Sequence, residues 1–301
     1  MNTNSQYKDS VFSFLFSDPK VLRELYSAIE GVIVPPDIPV EINTLSDVLY
    51  MDQVNDISFT IGSRLVVLIE HQSTINRNMP LRLLLYIARI YEKIIFRKKL
   101  YNTKLEKIPT PEFIVLYNGK ASYPDHAELK LSEAFINADD LRRGNIFPLE
   151  LAVQVYNINH GRNPKLLEKC ETLNGYSFFI NKVREYYKEL SSENEKDKEA
   201  LKNEAMKKAI EYCINHGILK EFLETHSSEV FNMLLTEWNT EEAIVIRSEE
   251  AFEDGREKER EMIACNALAE GLTIEFIQKI TGLSLDTVEK LKAETDTNSN
   301  N

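Results

Sequence analysis

Asp56, Glu70 and Gln72 are of the types, and at the spacing, that could hold a divalent metal against a phosphodiester. They lie in NDISFTIGSRLVVLIEHQ, residues 55–72. That stretch reads as a β-hairpin, with strands over about Asp56–Ile61 and Leu65–Gln72 and a turn at Gly62-Ser63-Arg64. Glu70 and Gln72 are two apart and share one face of a strand. Asp56 and Glu70 are equidistant from Ser63, so a hairpin turning there brings them close across the pair. Two carboxylates and an amide then converge near one edge of a sheet. Mg²⁺ and Mn²⁺ favour carboxylate oxygens and water, and a metal so held activates water and stabilises charge on a phosphate in flight.

The run Val66-Val67-Leu68-Ile69 makes the second strand a central one. A carboxylate in a buried strand is costly unless it is paired or binds metal. The competing reading makes Asp56 a strand-opening residue and leaves Glu70 and Gln72 on an edge. Asp47, in LSDVLYM, and Asp52 compete for the place of the first carboxylate. Asp52 suits turn chemistry, and the hairpin geometry favours Asp56. His71 alternates away from Glu70 and Gln72 and reads as a packed histidine.

Asp56 followed by Glu70-His71-Gln72 resembles the PD-(D/E)XK nuclease pattern. More closely, LIEHQSTINRNMPLRLLLYIARIYEKI (Leu68 to Ile94) is similar to the recombination-promoting nucleases, also called putative transposases. The similarity continues in DSVFSFLF (Asp9 to Phe16), FIVLYNG (Phe113 to Gly119) and VYNINHGRN (Val155 to Asn163). It spans most of residues 5–190. The resemblance implies a restriction-endonuclease-like α/β fold, a mixed sheet flanked by helices. It implies Mg²⁺ or Mn²⁺ on Asp56, Glu70 and the main-chain carbonyl of His71, DNA as substrate, and self-association, which we place in the C-terminal helices. Gln72 stands where the wider superfamily often carries lysine. Glutamine orients water but brings no charge and no basicity near neutral pH, so water activation would rest on the metal. The resemblance also favours Asp56 as the first carboxylate. Asp9 or Glu24, in the first helix, would complete the site. For Asp9 the competing role is a helix N-cap.

These residues need a frame. Residues 7–31 give a helix that breaks or restarts at Asp18-Pro19 and stops at Gly31. Residues 36–44 read as an extended linker and Leu45–Met51 as a short strand. Asn78-Met79-Pro80 opens a helix running to about Lys99, with Leu83, Leu84, Ile87, Ile90, Tyr91 and Ile94 as its apolar stripe. Arg82, Tyr86, Arg89 and Lys93 fall on another face, either an ordinary solvated one or one that meets a DNA backbone. Phe113–Tyr117 and Leu151–Tyr156 read as buried strands. The polar loop Asn157–Asn163 carries His160 and Arg162. It either lines the cleft, with Arg162 on phosphate, or is a turn held by asparagine side chains.

Beyond about Lys165 the chain reads as helical and charged. We expect a nuclease-like domain over residues 1–190, a helical extension over 191–294 and a disordered tail over 295–301. Within the extension, Leu272–Lys292 has the outline of a helix-turn-helix with Ser284 as a cap. The acidic start of its second helix (Leu285-Asp286-Thr287-Val288-Glu289) favours a packing or dimerising hairpin over a DNA reader.

The 301 residues carry a net charge of −12. A DNA binder of that charge must hold a local basic footprint, which keeps open a non-catalytic interaction protein on a nuclease-like fold. A two-carboxylate glycosidase is disfavoured, because the one tryptophan, Trp238, lies far from the motif. Three scattered cysteines fit a reducing compartment. The N-terminus has no apolar signal core, and no run suits a membrane span. A cytoplasmic protein without a membrane partner is expected.

Overall fold

The strand Arg64–His71 is the centre of the fold because its residues 65–69 are apolar on both faces and all buried. In the computed structural model, which describes residues 10–42, 56–71, 76–95, 100–101, 103–136, 147–193 and 197–298, it is the third of six strands. These are β1 (Val40–Ile42), β2 (Asp56–Ile61), β3 (Arg64–His71), β4 (Thr110–Tyr117), β5 (His126–Lys130) and β6 (Ala152–Asn157). Their order across the sheet is β1-β2-β3-β4-β6-β5. The sheet is mixed. β1, β2 and β3 are antiparallel neighbours, β3, β4 and β6 run parallel, and β5 returns antiparallel to β6.

The hairpin forms as read from the sequence, with a tighter turn. Gly62 takes a positive φ of 58°, which a side chain tolerates poorly, and Arg64 already belongs to β3. Asp56 therefore pairs with Ile69 and Ile61 with Arg64. Two short strands escaped the sequence reading. β1 lies within the expected linker, and β5 alternates half-buried and exposed residues on a sheet edge. The strand expected over Leu45–Met51 lies outside the described residues.

Helices cover both faces. Helix α1 (Val11–Leu15) begins with a capping box between Ser10 and Ser13. Helix α2 (Pro19–Glu30) restarts where Asp18 accepts from the Lys20 amide and Pro19 opens the first turn, and ends at Gly31 in the left-handed conformation. The cap that the sequence offered to Asp9 thus belongs to Ser10. Asp9 lies outside the described residues. Helix α3 (Met79–Ile94) starts after Asn78 as expected, but Asn78 makes no side-chain capping bond and the helix ends at Ile94, short of Lys99. Its Leu83, Tyr86, Ile87 and Ile90 pack on Leu65, Val67 and Ile69 of β3 and on Phe113, Val115 and Tyr117 of β4. Connecting parallel β3 and β4, α3 is the crossover that such strands require.

A short helix α4 (Pro164–Leu167) leads to α5 (Glu171–Glu193). Rings of Phe12 and Tyr176 bring α1 and α5 together, and those of Tyr26 and Phe59 bring α2 onto β2. Helix α6 (Lys198–Asn215) buries Leu201, Ala205, Met206, Ala209 and Cys213. Leu201 and Ala205 pack with Leu190 of α5, so this charged stretch is less solvated than its composition suggested.

The chain forms two compact units, residues 1–237 and 238–301. The first therefore continues past the boundary expected near residue 190. Helix α7 (Lys220–Ala269) departs from helical geometry at His226. In the second unit, the end of α7 with α8 (Ile274–Thr281) and α9 (Leu285–Asn298) gathers Ala264, Ala267, Ile277 and Val288 into a small core. Gly282 ends α8 in the left-handed conformation, and the Ser284 hydroxyl accepts from the Thr287 amide, the cap read from the sequence. Helix α9 continues to Asn298, into the segment expected to be a disordered tail. Among the described residues, no helix is long and apolar enough to cross a membrane.

Candidate functional site

Open α/β sheets bind ligands outside the carboxyl ends of their parallel strands. Here β3 ends at Glu70-His71, β4 at Tyr117 and β6 at Asn157, side by side. Glu70 is in register with Leu116, His71 with Tyr117, and Tyr117 with Asn157. The sequence-predicted Glu70 thus lies on the central strand at that edge, and the main chain of His71 lies beside Tyr117. Gln72 lies outside the described residues.

The hairpin places Asp56 differently from the sequence reading. Asp56 lies opposite Ile69, so Glu70 is one position further along rather than directly across. Position 56 belongs to the series of Ser58 and Thr60, which pairs with positions 67 and 65. Position 70 belongs to the series of Val66 and Leu68, which pairs with Phe59 and Ile57. In a regular pleat these two series alternate between faces. The register thus sets Asp56 one position off Glu70, where the sequence reading had them directly across the pair, and Asp47 lies outside the described residues. Among the described residues, no group of three or more His, Cys, Asp or Glu side chains gathers as a metal site.

The carboxyl ends of β4 and β6 are built from asparagines. Asn157 is buried, donates from Nδ2 to the Tyr123 carbonyl (2.8 Å), and accepts from the amide (3.1 Å) and Nδ2 (2.9 Å) of Asn159. Asn159 Nδ2 also reaches the Gly119 carbonyl (3.1 Å). Asn163, held at a φ of 43°, donates to the carbonyls of Asn157 (3.0 Å) and Asp125. The loop is thus the asparagine-stabilised turn, one of the two readings its sequence allowed.

Tyr117 anchors the neighbouring turn. Its hydroxyl donates to the Ala121 carbonyl (2.8 Å), and its ring packs on Tyr123 with centroids 5.0 Å apart. Burial raises its pKa above the usual tyrosine range, against lowering by the Ala121 bond and Arg184.

Three expected contacts are redirected. Arg162 pairs through Nε with Asp125 (2.9 Å) and donates from Nη2 to the Tyr123 carbonyl (2.9 Å), so it ties the turn before β5. The His160 ring meets Phe178 edge-on at 5.1 Å. Glu24 accepts from the Glu171 amide (2.7 Å) and the Thr172 hydroxyl (3.4 Å), which satisfies the start of α5. On α3, Tyr86 leaves the proposed basic face for the core. Arg82 and Arg89 are half-buried beside it and Lys93 is exposed.

The structure adds two residues. Asn118, immediately after β4, is 1% exposed, and its Nδ2 has no hydrogen-bond partner among the described residues. Arg184 of α5 reaches over it. Its Nη1 donates to Asn159 Oδ1 (3.1 Å) and Asn118 Oδ1 (3.5 Å), and its Nη2 to the Asn118 carbonyl. Asn118 stands in a motif quoted above, FIVLYNG, but its burial was not readable there. Arg184 sits in an ordinary charged helix, and nothing in its spacing marks it.

Residues 42–159 match the family described as "Putative transposase, YhgA-like". The matched segment begins in β1 and ends just beyond β6, so it holds almost the whole sheet with α3. No curated protein and no solved structure matches the chain.

Proposed function

We propose that this protein is a metal-dependent DNA endonuclease that hydrolyses phosphodiester bonds and promotes DNA recombination in the manner of a transposase. The observation that carries the reading is the position of Glu70 at the carboxyl end of the central strand, inside the segment similar to putative transposases. Its donor set is chemically suited to Mg²⁺ or Mn²⁺. Glu70, a second carboxylate from Asp56 or Asp47, and the His71 carbonyl are all hard oxygen ligands. A bound metal would supply water activation and charge neutralisation on the phosphate. Gln72 would orient the water through its amide. DNA as the partner and self-association through the C-terminal helices belong to the same proposal.

Supercoiled plasmid tests it. Incubation with Mg²⁺ or Mn²⁺ should yield nicked circles, EDTA should abolish them, and Glu70→Ala should be inactive while folded. Asp56→Ala and Asp47→Ala, assayed in parallel, identify the second carboxylate. No nicking by folded protein with any of these metals would overturn the reading.

A second reading, a non-catalytic interaction protein on this fold, is favoured by the net charge of −12, which opposes non-specific DNA binding. It predicts that the Asp56→Ala, Glu70→Ala double variant keeps its partner binding unchanged.

A further inference from the structure

We infer that Arg184 is the phosphate-binding residue of this site and that Asn118 is the positioning residue that holds it there. The inference rests on the nuclease reading above.

The first observation is register. Position 70 of β3 is in register with Leu116 of β4. Asn118 follows β4 directly, two residues beyond Leu116, so continuing the strand's alternation by one step would put positions 70 and 118 in one series. That series excludes Val67, Ile69, Val115 and Tyr117, which pack against α3. It is on the side where Arg184 of α5 meets Asn118. One strand spacing and two residues of rise separate the Cα positions of Glu70 and Asn118 by roughly 8 Å. A cation serving the same phosphate as Glu70 is therefore expected from α5. The α3 cations Arg82, Arg89 and Lys93 belong to a helix on the other face.

The second observation is the company of the guanidinium. All three acceptors of Arg184 are neutral: Asn118 Oδ1, the Asn118 carbonyl and Asn159 Oδ1. No carboxylate pairs with it among the described residues. Among the described side chains, its contacts order it without a countercharge. Arginine carries five N–H donors in a planar fork, and three bonds are made here. The Nε–H and one Nη2–H remain, two donors that a phosphate oxygen can accept from.

The third observation is Asn118 Nδ2, buried and unpartnered. Its Oδ1 faces the guanidinium at 3.5 Å, which favours this orientation of the amide. The orphan donor therefore points away from Arg184. A buried N–H without an acceptor costs about 1–3 kcal/mol, so this amide is held in place by its Oδ1 contact to Arg184 rather than by a bond of its own.

The test uses the full-length protein and a fluorescent DNA duplex in EDTA, so that binding is read without cleavage. Arg184→Gln should weaken binding roughly tenfold or more and reduce the slope of log affinity against log salt by about 1. Arg184→Lys should restore the slope but only part of the affinity. Asn118→Ala keeps the charge, so the salt slope should hold while the nicking rate falls. Lys182→Gln, two residues away and paired with Glu185, is the control for general electrostatics. Thermal unfolding establishes that each variant is folded. Wild-type nicking with unchanged binding by Arg184→Gln, or an equal loss in Lys182→Gln, overturns the clamp and leaves the nuclease reading standing. A folded wild-type protein that neither binds nor nicks DNA overturns both.

Discussion

Asp56 lies across the hairpin from Ile69, one residue short of Glu70. The offset arises because the turn uses two residues, Gly62 and Ser63, rather than three. It has a chemical consequence. Asp56 and its sequence-named competitors, Asp47 above Asp52, are the candidates for the second carboxylate beside Glu70. Isothermal titration with Mn²⁺ separates them. Glu70→Gln should lose binding, and one of Asp47→Asn and Asp56→Asn should match it while the other binds as the wild type does. Equal, undiminished binding in all three variants would remove the metal site from this hairpin.

The hairpin, α3 and the central strands were legible because their signals are local. Val66 to Ile69 can only be buried, Gly62 can only be a turn, and Pro80 suits a first helical turn. The register was not legible, since a slip of one residue changes no composition and reverses every face. β5 was missed because an edge strand of alternating charge, HAELK, resembles a loop. The clamp residues Asn118 and Arg184 are 66 apart in sequence. Only the packing of α5 on the sheet brings them together, and no spacing rule reaches that far.

Gly119 should be intolerant of a side chain. A Cβ there would lie 2.5 Å from the Tyr117 ring, which is itself pinned by the Ala121 carbonyl and Tyr123. Gly119→Ala should destabilise the folded protein by about 1–3 kcal/mol, the usual range for overpacking. Urea denaturation gives the number. An unchanged midpoint would mean that the Tyr117 ring moves freely aside.

Arg162 was expected from sequence to touch nucleic acid, and in the structure it bonds to Asp125 and the Tyr123 carbonyl. Its side chain and that of Asp125 are both about half exposed, so the ion pair itself contributes little. Arg162→Gln should lower stability by about 1 kcal/mol or less, mainly through the lost carbonyl bond. It should leave the salt slope of DNA binding as it is. A slope reduced by about 1 would return Arg162 to the interface.

Alkaline pH should weaken the fold. Burial pushes the Cys170 thiol up to about 12, the Cys213 thiol up to about 11 and the Tyr26 phenol up to about 12. Each is neutral when protonated, and the low-dielectric interior disfavours its anion. For Tyr26, Glu30 adds to the rise and Arg64 opposes it. In the unfolded chain these groups ionise near 9 for the thiols and 10 for the phenol. Between those values and the raised ones, the folded state holds protons that the unfolded state has lost. Stability is therefore fully present below about pH 9 and falls as pH climbs toward 11 to 12. Urea midpoints measured from about pH 8 to about pH 10.5 should drop with an unchanged slope of free energy against urea. Cys170→Ala should flatten part of that drop, because it removes one of the groups that ionises on unfolding. A midpoint that stays level across this range would show that the thiols and Tyr26 reach solvent in the folded protein.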